Sequence, residues 1–104
     1  VCSRGTLGRI EAALEDAGIK AAVGHEIEFL LVDPEGGRLP AALWAQYGLA
    51  GVLEHEAFVR DVLAGAAVAG VVIEQFHPEY GPNQFELSLA PQPPVTAADQ
   101  LVLM

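Results

Sequence analysis

Hydrophobic and polar residues alternate along two stretches of the chain, which predicts two β-strands with one apolar face each. In residues 20–32, the apolar face consists of Val23, His25, Ile27, Phe29 and Leu31, and the other face carries Glu26, Glu28 and Leu30. In residues 83–90, the apolar face consists of Phe85, Leu87 and Leu89, and the other face carries Gln84, Glu86 and Ser88. Both strands therefore present glutamates on the face opposite the expected core.

Two further stretches have apolar residues at helical spacing. Residues 3–17 are predicted to form a helix that Ser3 or Thr6 caps. Residues 54–69 are predicted to form an amphipathic helix, because their apolar residues recur on one face. Gly70 can end this helix in a left-handed conformation.

The remaining segments are predicted to form a third strand, a connector and a loop. A third strand is predicted over residues 71–76, followed by a connector over residues 77–82, where Pro78 and Pro82 cannot donate to a strand ladder. Residues 38–52 show no clear pattern beyond a short helical turn. Neighbouring strands that share a short connector pair antiparallel. The predicted fold class is therefore α+β, an antiparallel sheet flanked by helices on one face.

The composition narrows the range of functions. The chain has 104 residues, one domain at most, and a net charge of −9 from 14 acidic and 5 basic residues. This negative net charge argues against a protein that binds nucleic acid, because binding to phosphates requires many Lys and Arg residues. It also argues against binding to anionic membranes. No apolar run approaches the ~20 residues of a membrane span. The single cysteine, Cys2, cannot form an internal disulfide, which fits a reducing, cytoplasmic compartment.

Both ends of the sequence indicate a segment of a longer protein. Val1 is not an initiator methionine. Thr96 is predicted to cap the last helix, with Asp99 as its capping-box partner, and the helix then runs from Ala97 to Met104 without a glycine, a proline or a basic last turn. We therefore expect residues 1–104 to be a single partial domain, truncated at both ends.

Four glutamates are candidate metal ligands: Glu26, Glu28, Glu79 and Glu86. Three lie on the polar strand faces, and Glu79 lies in the connector that leads to the second of these strands, so the fold can bring them to one side of the sheet. No Lys or Arg lies inside these motifs. Carboxylates without basic partners suit hard cations such as Mg²⁺ or Mn²⁺. The alternative interpretation is an ordinary solvated sheet face.

The histidines and large aromatic residues have less specific interpretations. His77 is a candidate ligand, although a lone histidine at a strand end is more often structural. His55, in the first turn of a helix, is expected to be exposed, and His25 is expected to be packed on the apolar face. Trp44 and Tyr47 either line a pocket or, as we favour, anchor their loop by hydrophobic contacts.

Three motifs resemble segments of glutamine synthetases. The stretch GHEIEFLLV, residues 24–32, is similar to the family's strand Gly-x-Glu-x-Glu-Phe-x-Leu. The stretch IEQFHPEYGPNQFEL, residues 73–87, is similar to Val-Glu-x-x-His-x-Glu-x-Gly-Pro-Gly-Gln-x-Glu, and AADQLVLM, residues 97–104, is similar to the helix that follows. The two carboxylate motifs are specific when they occur together, and the resemblance extends from about Lys20 onward.

The resemblance implies a fold, an activity and a set of ligands. The chain would be the N-terminal portion of the family's catalytic domain. These enzymes use ATP to phosphorylate the side-chain carboxylate of glutamate, and ammonia or an amine then displaces phosphate. By resemblance, Glu28, Glu79 and Glu86 match the ligands of one divalent ion, Mg²⁺ or Mn²⁺, and Glu26 matches a ligand of the ion that touches the ATP phosphates. Small-molecule substrates and a homo-oligomer with sites between subunits are implied as well.

Two departures from the family pattern leave open which amine is used. His77–Pro78 stands where the family often has His-His or His-Lys, and Asn83 stands for the second glycine of Gly-Pro-Gly-Gln. The family's nucleotide-side histidine, its arginines and a further glutamate lie beyond these motifs. No catalytic residue is therefore assignable beyond the metal ligands, and the chain alone is expected to be inactive. The second hypothesis is a relative that has lost catalysis and serves as a structural or binding protein.

Overall fold

A computed structural model describes residues 2–104 of the chain. Across these residues, the helices are α1 (Ser3–Asp16), α2 (Leu49–Glu54), α3 (Glu56–Ala69) and α4 (Pro94–Leu103). The strands are β1 (Glu26–Leu30), β2 (Ile73–Pro78) and β3 (Gln84–Leu89). In this range, every helix is too short or too polar to cross a membrane.

The three strands form one antiparallel sheet with β3 in the centre and the order β1-β3-β2, which confirms the predicted α+β class. Strand β1 covers only part of residues 20–32, and β2 starts later than predicted and continues through His77 and Pro78. The connector therefore spans residues 79–83. Pro78 is tolerated because β2 is an edge strand, where a missing amide hydrogen interrupts no central ladder.

The apolar face of the sheet carries the core, as the alternation predicts. Phe85 of β3 is completely buried. Its ring lies 5.3–6.2 Å, between centroids, from the rings of Phe29, Trp44, His55 and Phe76. A cluster of smaller residues continues the core toward α3: Ala66, Val71, Leu87 and Leu89. Helix α3 therefore covers the apolar face of the sheet.

The predicted start of the last helix is wrong. Helix α4 begins at Pro94, so Thr96 lies inside it and is not its cap; a proline suits the first helical turn, where the amide has no partner in any case. The carboxylate of Asp99 does not form a capping box. It accepts two hydrogen bonds from the Arg4 guanidinium of α1, at 2.7 and 2.8 Å. Asp99 thus links the first helix to the last.

Helices α1 and α4 pack on each other rather than on the sheet face that α3 covers. Gly8 of α1 lies beside Val95 of α4, and the Glu11 carboxylate accepts a hydrogen bond from the Val95 amide. Cys2, rather than Ser3 or Thr6, is the N-cap of α1. The chain is elongated, with principal extents of 53 × 26 × 26 Å, because this helix pair lies beyond the sheet.

Replacing Phe85 with alanine should lower the free energy of unfolding by about 3–5 kcal/mol, because it removes a fully buried ring and leaves a cavity. Urea unfolding followed by circular dichroism measures the change. Tyr80→Ala, which removes a ring that is 81% exposed, should change the same quantity by no more than about 0.5 kcal/mol. Equal effects of the two substitutions would contradict the assigned core.

Candidate metal centre

The polar face of the sheet brings together the strand glutamates that the sequence predicts as ligands. Glu28 of β1 lies opposite Glu86 of β3, and Glu86 lies opposite His77 of β2. In the next row of the same face, Glu26 lies opposite Ser88. Because directly opposed side chains on one face lie close together, this register produces a row of three ligand-type side chains across the sheet.

The turn between β2 and β3 sets the position of Glu79. The Gln84 amide donates to the Gly81 carbonyl at 2.9 Å, with Pro82 and Asn83 at the corner. Asn83 has φ of 61°, and a proline followed by a residue with positive φ is typical of a type II turn. The Glu79 amide donates to the Gln84 carbonyl at 2.7 Å, which holds Glu79 at the end of the strand pair.

The closest group of ligand-type side chains consists of His77, Glu79 and Glu86. One donor atom from each lies within 4.8 Å of the other two. His77 Nδ1 lies 3.5 Å from Glu79 Oε1, and its Nε2 lies 3.6 Å from Glu86 Oε1. Sequence reasoning favoured a structural role for His77. The predicted strand ended at Phe76, whereas β2 extends through His77. This extension places His77 on the polar face beside Glu86.

Within residues 2–104, Glu79 is buried without an arginine or lysine partner. It is only 5% exposed. Its carboxylate accepts a hydrogen bond from the Gln46 amide at 3.4 Å and one from the Tyr80 backbone amide at 3.3 Å. Over residues 2–104, the ion pairs that arginine or lysine forms lie within α3 or between α1 and α4, not at this turn. A buried carboxylate needs hydrogen-bonded or ionic partners, and here two amides donate to it and the His77 ring lies beside it.

The surroundings of Glu86 raise the pKa of its carboxyl group. Burial is the largest cause, followed by the negative charge of Glu26, while His77 acts in the opposite direction. The side chain of Glu28 and the charge of Glu79 raise the pKa further. The ionised form of Glu86 is therefore disfavoured, and a nearby divalent cation would stabilise it.

Glu28 and Glu26 border this group without joining it. Glu28 is exposed, and its carboxylate accepts a hydrogen bond at 3.1 Å from the side-chain amide of Gln84, whose oxygen accepts from the Gly81 amide. Glu26 lines an open depression of about 430 Å³, whose other residues are Tyr47, Gln75, His77 and Glu86. All four predicted glutamates therefore lie in or beside one region of the polar face.

Trp44 and Tyr47 have different roles. Trp44 anchors its loop, as expected, because its indole N–H donates to the Glu79 carbonyl at 2.8 Å and its ring contacts the core. Tyr47 instead lines the depression, with a side chain that is 65% exposed and a ring 4.9 Å from that of His77. Its φ of 58° is uncommon for a large residue. The charge of Glu79 raises the pKa of the Tyr47 phenol.

The expectation that His55 is exposed is wrong. His55 is half-buried where α2 ends and α3 begins, and its Nε2 lies 2.7 Å from Asn83 Oδ1. The sequence pattern of residues 38–52 did not reveal α2, which places this residue at a helix junction. His25 is half-buried just before β1 and borders an open polar depression with Glu26, so it is only partly packed.

Comparison with known proteins identifies the family. Residues 1–104 match the family model described as glutamine synthetase, catalytic domain. The chain belongs to the glutamine synthetase family. It is 40% identical over 107 residues to gamma-glutamylpolyamine synthetase GlnA3 of Streptomyces coelicolor, a match that covers 99% of the chain and 23% of that protein. It is 32% identical over 117 residues to Protein fluG of Emericella nidulans, covering 97% of the chain and 13% of that protein. The chain thus spans less than a quarter of either curated relative.

Membership in the glutamine synthetase family confirms the resemblance described above and agrees with the chemistry of the cluster. The family consists of ATP-dependent ligases that generally use ATP and divalent metals. Hard divalent cations prefer oxygen ligands, and a carboxylate oxygen of Glu79 lies within 4.8 Å of one of Glu86. His77 adds a ligand nitrogen or, through its hydrogen-bearing ring nitrogen, a group that orients one of the two carboxylates. The residues present therefore fit a divalent cation.

Glu86→Gln should stabilise the fold at neutral pH when divalent ions are removed. A carboxyl group with a raised pKa in the folded state contributes stability that is present below its unfolded pKa and is lost as the pH rises through its folded pKa. In EDTA, the unfolding free energy of the wild type should therefore fall relative to that of Glu86→Gln as the pH rises from 4.5 through the raised pKa. Urea unfolding at a series of pH values measures this difference.

Glu35→Gln, at an exposed turn residue, removes an equal charge and should not reproduce the effect. Arg4 lowers the pKa of Asp99 from its usual 3.8, so Asp99 titrates below the pH range of this experiment, which starts at 4.5. If the free energies of unfolding of wild type and Glu86→Gln differ by the same amount at every pH above 4.5, the raised pKa described for Glu86 is contradicted.

Proposed function

We propose that the chain is the first part of the catalytic domain of a longer ATP-dependent ligase. This enzyme would join the side-chain carboxylate of glutamate to ammonia or a small amine, working as an oligomer of identical subunits. The proposal depends mainly on the buried carboxylate of Glu79 beside Glu86 and His77, in a chain that belongs to a ligase family. The match to 23% of a gamma-glutamylpolyamine synthetase supports the view that other segments complete the site.

The proposed metal ligands are Glu28, Glu79 and Glu86, with Glu26 directed to a second ion. Glu79 and Glu86 already lie together, and Glu28 faces Glu86 from the neighbouring strand. When bound, Mg²⁺ or Mn²⁺ would neutralise the anionic oxygens of the nucleotide and of glutamate. The role of His77 is to position the carboxylate that faces its hydrogen-bearing ring nitrogen, with the other carboxylate close to the second ring nitrogen.

The proposed reaction has two steps. The glutamate carboxylate attacks the terminal phosphorus of ATP, which releases ADP and forms γ-glutamyl phosphate. The amine nitrogen then attacks the activated carbonyl carbon, phosphate leaves, and the nitrogen loses a proton. The contribution of this chain is to hold its carboxylates in a fixed arrangement, since phosphoryl transfer depends on positioning and charge stabilisation. The Gln46 amide and the Tyr80 amide fix Glu79 in this way.

A cationic amine is the acceptor that the open depression favours. The depression combines the carboxylates of Glu26 and Glu86 with the exposed ring of Tyr47. With Glu26 and Glu86 bound to metal ions, an ammonium group elsewhere on the amine would be attracted mainly by the face of the aromatic ring, while an uncharged nitrogen attacks. A relative named for a polyamine substrate supports an amine rather than ammonia alone.

Mn²⁺ should bind the wild-type chain and raise its free energy of unfolding, by about 2.7 kcal/mol at a free concentration of 100 times the Kd. Glu86→Gln should bind far more weakly, because it removes a charged ligand. The stability order should therefore reverse, with the variant more stable in EDTA and less stable in excess Mn²⁺. Calorimetry and water-proton relaxation measure the binding, with Glu35→Gln as the control. Equal binding by wild type and Glu86→Gln would overturn the assignment.

The full-length protein should form a γ-glutamyl amide from ATP, glutamate and at least one member of a panel of ammonia, monoamines and polyamines. Glutamate-dependent phosphate release measures the reaction. The isolated 104-residue chain should show none, because most of the site lies outside it. Glu86→Ala in the full-length protein should lower turnover by about a hundredfold or more without unfolding it. A folded full-length protein that is inactive with every amine would support a non-catalytic binding protein instead.

A further inference from the structure

Asn83 is a buried polar residue at a position that glycine would suit. Its φ of 61° lies in the left-handed region, and the residue is only 2% exposed. Asparagine tolerates this conformation better than most residues, but glycine adopts it without steric cost. The backbone therefore does not explain the asparagine, and its side-chain contacts must.

The carboxamide of Asn83 joins two separate segments of the chain. Its Nδ2 donates to the Leu39 carbonyl at 2.8 Å, and its Oδ1 lies 2.7 Å from His55 Nε2. A backbone carbonyl can only accept, so the amide nitrogen must face Leu39 and the oxygen must face His55. His55 Nε2 therefore carries a hydrogen and donates it to Asn83.

Residues 39–55, which we call the covering segment, begin and end at these two contacts. The covering segment supplies Trp44, Gln46 and Tyr47, which contact Glu79 or His77. Asn83 itself lies in the turn between Glu79 and Glu86. Its two hydrogen bonds therefore hold both ends of the covering segment against the turn that carries the buried carboxylate.

We propose that Asn83 and His55 are a positioning pair that clamps the covering segment onto the turn and fixes Gln46 and Tyr47 against the metal centre. Neither residue belongs to the ligand cluster, so both act through Glu79 and its neighbours. The clamp is a property of this chain alone, whereas its effect on metal binding rests on the proposed function.

The indole N–H of Trp44 reports the clamp directly. It donates to the Glu79 carbonyl, and the chain has one tryptophan, so a single NMR signal follows the contact. Asn83→Gly retains the left-handed backbone but removes the carboxamide. His55→Phe keeps a ring beside Phe85 but removes the donor. Each of these two variants should raise the hydrogen-exchange rate of the Trp44 indole N–H by about tenfold. The exchange rate of the Leu89 amide should stay unchanged.

The double variant and a conservative variant complete this test. Asn83→Gly and His55→Phe together should speed indole exchange no more than Asn83→Gly alone, because Asn83→Gly already removes both hydrogen bonds of the clamp. His55→Gln can place an N–H near the position of Nε2. The Trp44 indole hydrogen of this variant should therefore exchange almost as slowly as that of the wild type. Additive effects, or unchanged exchange in both single variants, would overturn the clamp.

Mn²⁺ affinity distinguishes this inference from the proposed function. Asn83→Gly and His55→Phe should each weaken Mn²⁺ binding by about tenfold or more, and His55→Gln should bind nearly as wild type does. If the wild type binds no Mn²⁺, the proposed metal site fails, while indole exchange still decides the clamp. If the wild type binds Mn²⁺ and both clamp variants bind it equally well, the pair does not position the site and the inference is overturned.

Discussion

The Glu79 carboxylate is buried at the end of a strand pair without an arginine or lysine partner, and the surrounding structure depends on this constraint. An uncompensated buried charge is strongly destabilising. The covering segment reduces the cost through Gln46, which donates to the carboxylate, and Trp44 holds the residue in place by donating to the backbone carbonyl of Glu79. These contacts hold the charge in place without neutralising it. The proposed divalent cation would supply the missing positive charge.

The two faces of one strand have opposite effects on stability. Phe85 is fully buried in the aromatic core, and the next residue, Glu86, points to the carboxylate cluster. The core side stabilises the fold, while burial and neighbouring charges raise the pKa of Glu86 on the other side. Because strand side chains alternate, a slip of one residue would exchange the two faces. The aromatic core therefore sets the register that brings Glu86 opposite Glu28 and His77.

Local patterns in the sequence predicted the features that depend on neighbouring residues. Alternation identified both faces of β1 and β3, and the paired motifs identified the family. Contacts between distant residues could not be predicted. Asp99 resembled a capping residue but bonds Arg4, 95 positions away, and His55 resembled an exposed residue but bonds Asn83, 28 positions away. His77 was underestimated because its position depends on the pairing of β2 with β3.

We propose that the carboxylates of Glu79 and Glu86 bind a divalent cation. Anomalous diffraction at the manganese edge, from crystals of the chain grown with MnCl₂, tests it most directly. We expect an anomalous peak bonded to carboxylate oxygens of both Glu79 and Glu86, with His77 beside it. A well-ordered crystal with no peak between these two residues, or with manganese only on other surface carboxylates, would contradict it.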